Sequence, residues 1–354
     1  MAHVATITID YTKVPGDLTD YVGLIVPDGS AGYSALYALC LEGGGDIRLF
    51  KSDDSTELAR EIVSFSVSAE TGEIHYKYSG TLSSSVDTDI HVYADGSSSD
   101  YATTATYGAE AVWGGYALVS HNGGAEDSTG NNSFSSFGGV TSGGVTGKIG
   151  DATSYDGLND YIKTTGNVAV DNLTLSVWVK TNSSKNFGGI VCVESGVVTS
   201  MFQFVTSDTG DIQFQSGDGE ADMKTWLGDS FNNNVWRHSV ITIGSGDTDP
   251  LMYLDGTGTS VNLRVPAYQI DPTNYAFSSL NKPLLFGAER TKGVFGVFSM
   301  GEVRLRDSVQ TANWITTEYN NQNDEAAFWG TWTDAGGGGS TPAQAARRGA
   351  VMMM

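Results

Sequence analysis

Alternation of apolar and polar residues with a period of two runs through most of this chain and predicts β-strands. The clearest case is segment 173–180, whose two faces carry Leu173, Leu175, Val177 and Val179 on one side and Thr174, Ser176, Trp178 and Lys180 on the other. A helix would instead repeat its apolar residues every three to four positions. The preceding segment, 152–163, predicts a strand that is interrupted by an Asp156-Gly157 turn.

Short alternating segments continue on both sides of this pair, separated by clusters of Gly, Asp, Asn and Ser. In residues 1–110 we predict strands at 6–10, 21–26, 60–67, 73–78 and 88–94. Later in the chain we predict strands at 113–121, 189–193, 200–205, 211–215 and 235–243. This spacing is typical of β-sandwiches. A Ser/Thr/Ala-rich stretch at 96–108 predicts a hinge, so we place the first domain boundary at residue 110.

Length and composition agree with an all-β chain of two domains. The 354 residues exceed what one small core accommodates. The chain has 45 glycines and 40% hydrophobic residues, and helical periodicity is nearly absent, which favours two β-sandwich domains. Cys40 and Cys192 each lie in an apolar run, and we expect buried free thiols rather than a disulfide.

Charge excludes some classes of partner. With 19 Lys and Arg against 41 Asp and Glu, the formal net charge is −22, which repels nucleic-acid phosphates and anionic lipids. We expect no nucleic-acid partner. No segment approaches the roughly 18 apolar residues of a membrane helix, so we expect no membrane insertion. The chain starts directly with a strand pattern and shows no secretion leader, so we expect synthesis in a cytoplasm without such a leader.

The segments YDGLNDYIK at 155–163 and LTLSVWVK at 173–180 resemble the LamG-like branch of the concanavalin A-like lectin/glucanase jelly rolls. Further similar segments follow in the family's order, namely DSTGN at 127–131, WRHSV at 236–240, MYLDG at 252–256, LFG at 285–287, GEVRL at 301–305 and WITTEYNNQ at 314–322. The resemblance implies a jelly roll over residues 111–332 that closes with a short helix at 314–322.

Residues 1–110 resemble a domain of unknown function that often precedes LamG-like domains in bacterial and phage proteins. The matching segments include GDIRLF at 45–50, LSSSVDTDI at 82–90 and Val112-Trp113. The sequence departs from that pattern at 74–76 and 94–96, where aromatic positions of the family are occupied by other residues.

Neither the fold nor the motifs indicate an enzyme. Jelly rolls of this type include both glycosidases and lectins, so the fold does not decide. Glycoside hydrolysis needs two carboxylates across the scissile bond. The nearest pattern to the family's carboxylate triplet is Glu220 with Asp222, which lacks the third acid and lies in a Gly/Asp-rich segment. No nucleophile elbow, phosphate loop or dinucleotide fingerprint occurs. We therefore expect no catalytic residues.

Two tryptophans are candidates for stacking on sugar rings. Trp226 lies in a Gly/Asp-rich segment, and we expect it to be exposed. Trp178 lies on the polar face of its predicted strand, but it matches a core tryptophan of the family, so packing is its favoured alternative role.

The resemblance also implies a calcium ion at a loop rim. The candidate ligands are Asp127 in the DSTGN loop and Asp156 and Asp160 in the following turn, because carboxylate oxygens are what calcium prefers. The alternative is that these residues only form turns, which aspartate commonly does.

The C-terminal residues change character. Residues 333–354 begin with a glycine run at 336–339 and end in PAQAARRGAVMMM, a basic and apolar peptide on an acidic chain. We interpret them as a flexible linker and a docking tail whose candidate contact residues are Arg347, Arg348, Val351 and Met352. A frayed terminus is the alternative.

Together these features suggest a non-enzymatic structural protein of a phage virion, such as a head decoration, fibre or tail-associated protein. We expect the first domain and the tail to bind other virion proteins, the LamG-like domain to present a glycan-binding surface, and the protein to form a homo-oligomer. Assembly would take place in the host cytoplasm. The alternatives are a bacterial cell-surface adhesin, a glycoside hydrolase with an unrecognised carboxylate pair, and a structural protein without a ligand.

Overall fold

A computed structural model describes residues 1–28, 33–124, 126–195, 201–217, 224–259, 262–264, 276–334 and 338–340. The chain divides into two compact units. The first unit is Met1–Val112 together with the chain from Asn320 onward, and the second unit is Trp113–Tyr319. The predicted docking residues Arg347, Arg348, Val351 and Met352 lie outside the described residues.

Strands predominate, as the all-β prediction requires. The N-terminal part contains β1 (Ala2–Ile9), a 3-10 turn (Tyr11–Lys13), β2 (Leu18–Ile25), α1 (Ser34–Leu39), β3 (Arg48–Lys51), β4 (Glu57–Ser66), β5 (Thr71–Leu82), β6 (Thr88–Ala94) and α2 (Ala109–Val112). The middle part contains β7 (Tyr116–Ser120), β8 (Phe134–Phe137), β9 (Val145–Thr146), β10 (Asp151–Asp156), β11 (Tyr161–Thr164), β12 (Val168–Val170), β13 (Leu173–Lys180), β14 (Gly188–Val193), β15 (Met201–Thr206), β16 (Asp211–Gly217), β17 (Lys224–Ser230), β18 (Arg237–Ile243), β19 (Leu251–Leu254), β20 (Thr257–Gly258), β21 (Asn262–Arg264), β22 (Leu280–Lys282), β23 (Leu284–Phe286) and β24 (Val297–Arg306). The C-terminal part contains α3 (Ala312–Asn323), α4 (Glu325–Phe328), β25 (Trp329–Asp334) and β26 (Gly338–Ser340).

The first unit is an antiparallel sheet in the order β2-β5-β4-β3-β6-β1-β25-β26. Its last two strands come from the C-terminal part, because β25 pairs with β1 from Ala5 opposite Asp334 to Ile9 opposite Trp329. The structure thus differs from the predicted domains 111–332 and 333–354. Trp329 and Trp332 are almost fully buried, and burial of these large rings explains why the segment joins the first sheet. The predicted glycine linker partly forms β26.

The GDIRLF motif has a structural role in the first unit. Asp46 is fully buried, and its carboxylate accepts hydrogen bonds from the backbone N–H groups of Leu41 (2.9 Å) and Gly96 (2.7 Å). Arg60 donates to the carbonyl oxygen of Gly45 (3.0 Å). Because a buried charge needs such partners, the motif stabilises the loops around β3.

The second unit is a sandwich of two antiparallel sheets. The first sheet has the order β20-β19-β18-β13-β24-β10-β9, with β7 also paired to β24, and we call it the helix-covered sheet. The other has the order β21-β17-β16-β15-β14-β23-β11-β8, and we call it the pocket sheet. Side chains from both sheets share one core, including Leu175, Val177, Phe204 and Phe214. This arrangement is the predicted jelly roll.

The predicted strand at 152–163 is in fact divided between the two sheets. In β10, Thr153 pairs with Met300 in the helix-covered sheet, whereas in β11, Ile162 pairs with Phe286 in the pocket sheet. The Asp156-Gly157 turn therefore connects the sheets. Gly157 has a φ of 77°, a conformation that glycine adopts without strain.

Both faces of β13 are buried, although the sequence pattern predicts one polar face. The outward face is covered by α3, whose Tyr319 ring stacks on Trp178 at 6.0 Å. Beneath the helix, Arg304 donates to Glu302 (2.7 Å) and to Glu318 (3.0 Å), and all three side chains are buried. The helix predicted at 314–322 is confirmed as α3.

Two smaller expectations can be compared with the structure. Cys40 and Cys192 are buried free cysteines, as predicted. Among the described residues, no helix is long and apolar enough to cross a membrane.

Candidate functional site

One row of outward-facing side chains crosses the pocket sheet. In antiparallel sheets, directly opposed residues share a face, and the strand register carries this row from β11 to β17. Its members are Lys163, Leu285, Cys192, Gln203, Gln215 and Thr225. The neighbouring residues Phe202, Phe204 and Phe214 point the other way, into the core. The register thus brings two amide side chains side by side on the outer face.

The two amides form a hydrogen-bonded ladder. Gln203 Nε2 donates to Gln215 Oε1 (3.0 Å), and Gln215 Nε2 donates to Thr225 Oγ1 (2.9 Å). The backbone N–H of Arg290 donates to Gln203 Oε1 (3.0 Å). Both glutamines are almost fully buried, so these bonds compensate the loss of water. The ladder also attaches the loop that carries Arg290 to the sheet.

That loop, residues 287–296, connects β23 and β24 and is braced from within by Glu289. The Glu289 carboxylate accepts hydrogen bonds from the backbone N–H groups of Thr291 (3.0 Å) and Gly293 (2.8 Å), and also from the Thr291 hydroxyl. The two ends of the loop are joined by a bond from Gly296 N to Gly287 O (2.8 Å). Glu289 therefore acts as a structural acceptor that keeps the loop in one shape.

The loop and the ladder enclose a pocket of about 340 Å³ on the outer face of the sheet. Its lining includes Phe187, Gln203, Gln215, Glu289, Arg290 and Thr291. Small-molecule sites have volumes of about 300–1,000 Å³ and combine a few placed polar groups with apolar walls. The pocket offers an amide, a carboxylate, a guanidinium and a hydroxyl within such a volume.

Beside the pocket, two lysines share one carboxylate. Lys292 Nζ donates to Glu194 Oε1 (2.5 Å), and Lys163 pairs with the other Glu194 oxygen. Burial alone would raise the pKa of Glu194, but the hydrogen bonds from both lysines outweigh it, and the pKa lies below its ordinary value. Glu194 is therefore ionised at neutral pH.

An aromatic platform, formed by Phe137, Tyr161 and Phe295, continues the same face at the edge of the sheet. Phe137 and Tyr161 are opposed across β8 and β11, and their rings stack at 4.5 Å with an angle of 8°. Phe295 lies 6.2 Å from Tyr161. Phe137 is 39% exposed, so the platform presents apolar ring surface to solvent.

Sequence reasoning missed both the ladder and the platform. A signal for the ladder exists in the alternation of Phe202-Gln203-Phe204 and Gln213-Phe214-Gln215, since aromatic residues on one face leave the glutamines on the other. No local signal indicates the platform, because Phe137 and Tyr161 are separated by 23 residues that include β9 and β10, and they meet only through the register.

Residues 156–316 match the sequence model of the Laminin G 3 family of the concanavalin A-like lectin/glucanases superfamily. The second unit carries a concanavalin A-like lectin-type domain. This confirms the resemblance that its motifs suggest. The match begins at residue 156, so the resemblance of residues 1–110 to a domain of unknown function stays a prediction.

Solved structures similar to this chain include three binding domains. The receptor binding domain of the botulinum neurotoxin C/D mosaic serotype is 15% identical, over 59% of this chain and 52% of that chain, with a TM-score of 0.46. The botulinum neurotoxin serotype D ligand binding domain in complex with N-acetylneuraminic acid is 16% identical, over 60% and 53%, with a TM-score of 0.42. The binding domain of Paraclostridial Mosquitocidal Protein 1 is 13% identical, over 59% and 52%, with a TM-score of 0.44.

The chain spans about half the length of these solved chains. Identities and TM-scores this low carry no residue role and no ligand across to it. No curated protein matches the chain.

The prediction that Trp226 is exposed is wrong. The residue lies within β17 of the concanavalin A-like domain, and only 1% of its surface is exposed. Its ring stacks on Phe214 at 5.3 Å, and its Nε1 donates to Asp249 (2.9 Å). The pairing of Phe214 with Trp226 directs the ring into the core, and a composition rich in Gly and Asp does not reveal this.

Trp178 is also almost fully buried. Its ring lies 5.2 Å from that of His238 and stacks on Tyr319. This is the packing role that the sequence analysis favoured over ligand contact, and the ring offers no free face for a sugar.

Asp127 organises its own loop in the concanavalin A-like domain. Its carboxylate accepts backbone N–H groups of Val119 (2.9 Å), Thr129 (3.1 Å) and Asn132 (2.9 Å), together with side-chain donors of the latter two residues. A carboxylate has about four acceptor positions, and these donors occupy them. A calcium ion at Asp127 would have to replace existing bonds.

Asp156 and Asp160 are neighbours in the turn between the sheets. Burial and the charge of Asp156 raise the pKa of Asp160. A cation would relieve that repulsion, but Lys185 Nζ already donates to the carbonyl of Gly157 in the same turn (2.7 Å). Within the part of the chain that the structure describes, the three predicted aspartates do not gather into one set of ligand atoms. The calcium prediction thus rests on Asp156 and Asp160.

Proposed function

We propose that the concanavalin A-like domain is a non-enzymatic glycan-binding domain and that the pocket of the pocket sheet is its sugar site. The observation that carries the proposal is the pocket itself, in which Gln203, Gln215, Glu289 and Arg290 are held by hydrogen bonds around one volume of about 340 Å³.

The chemistry of the lining suits a sugar. Sugar hydroxyls both donate and accept hydrogen bonds, and the lining supplies both kinds of partner from amide, hydroxyl and guanidinium groups. Because the ladder and the Glu289 brace fix these groups in advance, little ordering is needed when a ligand binds. The aromatic platform adds exposed ring faces of the kind on which sugar rings pack.

The acids near the pocket do not suit glycoside hydrolysis. That reaction needs a carboxylic acid with a raised pKa to protonate the leaving group and a second carboxylate across the bond. The pKa of Glu194 is instead lowered by two lysines, and the oxygens of Glu289 are used inside its loop. We therefore propose binding without catalysis, and an assay for released reducing sugar from polysaccharides is the direct check.

Glycan binding is tested with the full chain on a glycan array, in the presence of calcium, followed by titration calorimetry with each positive glycan. The informative variant is Gln215→Leu, which removes the hydrogen bonds from Gln203 and to Thr225. We expect glycan binding to weaken about tenfold or more, because Gln203 loses the partner that holds it in the pocket lining. Gln213→Leu is the matched control, since it makes the same change on the same strand outside the pocket lining. A blank array with folded protein would contradict the proposal.

We further propose that the whole chain is a structural component of a phage virion, as a decoration, fibre or tail-associated protein assembled in the host cytoplasm. The first unit and residues 342–354 would attach it to other virion proteins as a homo-oligomer. One feature of the first unit supports this: β26, the last described strand before the basic tail, lies at the edge of its sheet. The tail therefore leaves from the unit that we propose for attachment.

Deletion of residues 342–354 tests the attachment. We expect the truncated chain to fold, to keep glycan binding and to be lost from purified particles. Unchanged incorporation would remove the tail from the proposal. Neighbouring genes for capsid and tail proteins would favour the virion, whereas neighbouring secretion genes would favour the alternative of a bacterial surface adhesin.

A further inference from the structure

The surroundings of the pocket differ in charge from the rest of the molecule. The chain carries a formal net charge of −22. Around the pocket, however, three cationic side chains, Lys163, Arg290 and Lys292, stand against the two carboxylates of Glu194 and Glu289. The balance is one net positive charge on an otherwise acidic surface.

Both carboxylates are already committed. Each oxygen of Glu194 pairs with a lysine, and Glu289 accepts three hydrogen bonds from its own loop. Neither has to bind a cation or a sugar hydroxyl to be satisfied. They neutralise neighbouring charge without blocking Arg290.

The Arg290 guanidinium makes only one hydrogen bond to a described residue. Its Nη1 donates to the carbonyl of Ser195 at a long 3.4 Å, and its side chain is half-buried at the pocket. No described residue accepts a hydrogen bond from its Nε or Nη2. Two parallel N–H groups of a guanidinium match two oxygens of a carboxylate or sulfate group. Such paired, charge-assisted hydrogen bonds are among the strongest that an arginine forms.

We infer that the ligand is an acidic oligosaccharide, with its carboxylate or sulfate on Arg290 and a further sugar ring on the aromatic platform. This inference rests on the proposed glycan binding and narrows it to one class of glycan. The platform lies on β8 and β11, and the pocket is centred on β15, three strands from β11. At about 4.8 Å per strand, Tyr161 on β11 lies about 14 Å from Gln203 on β15, so a ligand that reaches from the ladder to the stacked rings of Phe137 and Tyr161 has more than one sugar unit.

The test compares glycans that differ only in charge. Calorimetry on the full chain would use an oligogalacturonate and its methyl ester, then a sulfated oligosaccharide and its desulfated form, which separates the two sources of negative charge. We expect at least one acidic form to bind about tenfold tighter or more than its neutral counterpart, equal to about 1.4 kcal/mol. We also expect this preference to decrease with added salt.

The deciding variant is Arg290→Gln, which should weaken binding of the acidic form about tenfold more than binding of the neutral form and so remove the preference for the acidic form. Arg290→Lys keeps the charge but loses the fork, so it should keep only part of the preference. Lys180→Gln, at the end of β13 in the other sheet, is the control for the change in net charge.

The outcomes separate the inference from the proposed function. If neutral forms bind as well as acidic ones, the acidic class is wrong although glycan binding stands. If Arg290→Gln weakens both forms equally, Arg290 only positions the loop, and the inference is overturned. If no glycan binds at all, the proposed function itself has failed.

The platform is tested with Phe137→Ala. We expect it to weaken binding of an acidic oligosaccharide several-fold and to leave an acidic monosaccharide unaffected. Val145→Ala is a matched control, because Val145 is similarly exposed on a strand at the edge of the other sheet. Equal affinity of the oligosaccharide for wild type and Phe137→Ala would remove the platform from the site.

Discussion

The outer faces of the two sheets in the second unit begin from similar patterns and end in opposite states. On the helix-covered sheet, Ser176 and Trp178 are buried beneath α3, and charged groups there are paired with one another. On the pocket sheet, Gln203 and Gln215 pair with each other and line an open pocket. The two outward polar rows thus differ in what lies over them, since a helix packs on the first and a loop that leaves a pocket packs on the second.

The ion pairs beneath α3 are almost fully buried, whereas those on the outer face of the pocket sheet are partly exposed. The first prediction is therefore that Arg304→Met lowers the free energy of unfolding by about 3–5 kcal/mol, because the buried carboxylates of Glu302 and Glu318 lose the cation that they share. Chemical denaturation of the full chain measures the loss. Lys163→Met on the pocket sheet is the control, and its more exposed pair should cost at most about 1 kcal/mol. Equal losses would erase the proposed difference between the faces.

The second prediction concerns acid. Burial alone would raise the pKa of Glu318, but the His238 ring, whose Nε2 lies 3.5 Å from the carboxylate, and the charge of Arg304 lower that pKa below its ordinary 4.5. The stabilisation is therefore fully present above about pH 4.5 and is lost as the pH falls through the folded-state pKa. Glu318→Gln should cost about 1.5–3 kcal/mol at pH 7, and less at lower pH.

Melting temperatures of wild type and Glu318→Gln between pH 7 and pH 3 provide the measurement. Glu194→Gln is the comparison on the open face, where the pKa is also lowered but the carboxylate is partly exposed, so its pH dependence should be weaker. A difference between wild type and Glu318→Gln that stays constant with pH would contradict the charge pairing.

The third prediction sharpens the assignment of Trp226 to the core. Trp226→Phe removes part of the ring and its hydrogen bond to Asp249, and should lower the free energy of unfolding by about 1–2 kcal/mol. Glycan affinity should be unchanged, because the ring lies on the inner side of the pocket sheet. A large loss of glycan affinity without a loss of stability would indicate that Trp226 contacts the ligand.

The smallest expected effect concerns the turn that joins the two sheets. Calcium bound at Asp156 and Asp160 would raise the melting temperature by a few degrees, and Asp160→Asn would abolish that rise. Without calcium, Asp160→Asn should slightly stabilise the domain, since it removes a carboxylate whose pKa is raised. Calorimetry that shows no heat, together with no thermal shift, would end the calcium prediction. Asp127→Asn is the comparison, and it should weaken its loop with or without calcium.

Much of the fold follows from local sequence. The alternation at 173–180 predicts β13, because the strand period is a local property of the chain, whereas α3 was expected from the resemblance of segment 314–322 to the family. The motifs that resemble the family also predict the jelly roll, which the match over residues 156–316 confirms. The candidate site could not be predicted from the sequence, since Gln203, Arg290 and Phe137 are far apart along the chain and share one face only through strand register.

The sequence by itself thus determined that the chain is all-β, where most strands and α3 lie, and that its second part is a jelly roll. The tertiary structure alone decided that β25 belongs to the first sheet, that Trp226 points inward, and that the polar row of the pocket sheet borders a pocket. The physical reason is that side-chain periods of two and 3.6 are set by neighbours in the chain, whereas register and coverage are set by distant partners. A shift of one residue in register would turn Gln215 into the core and Trp226 out of it.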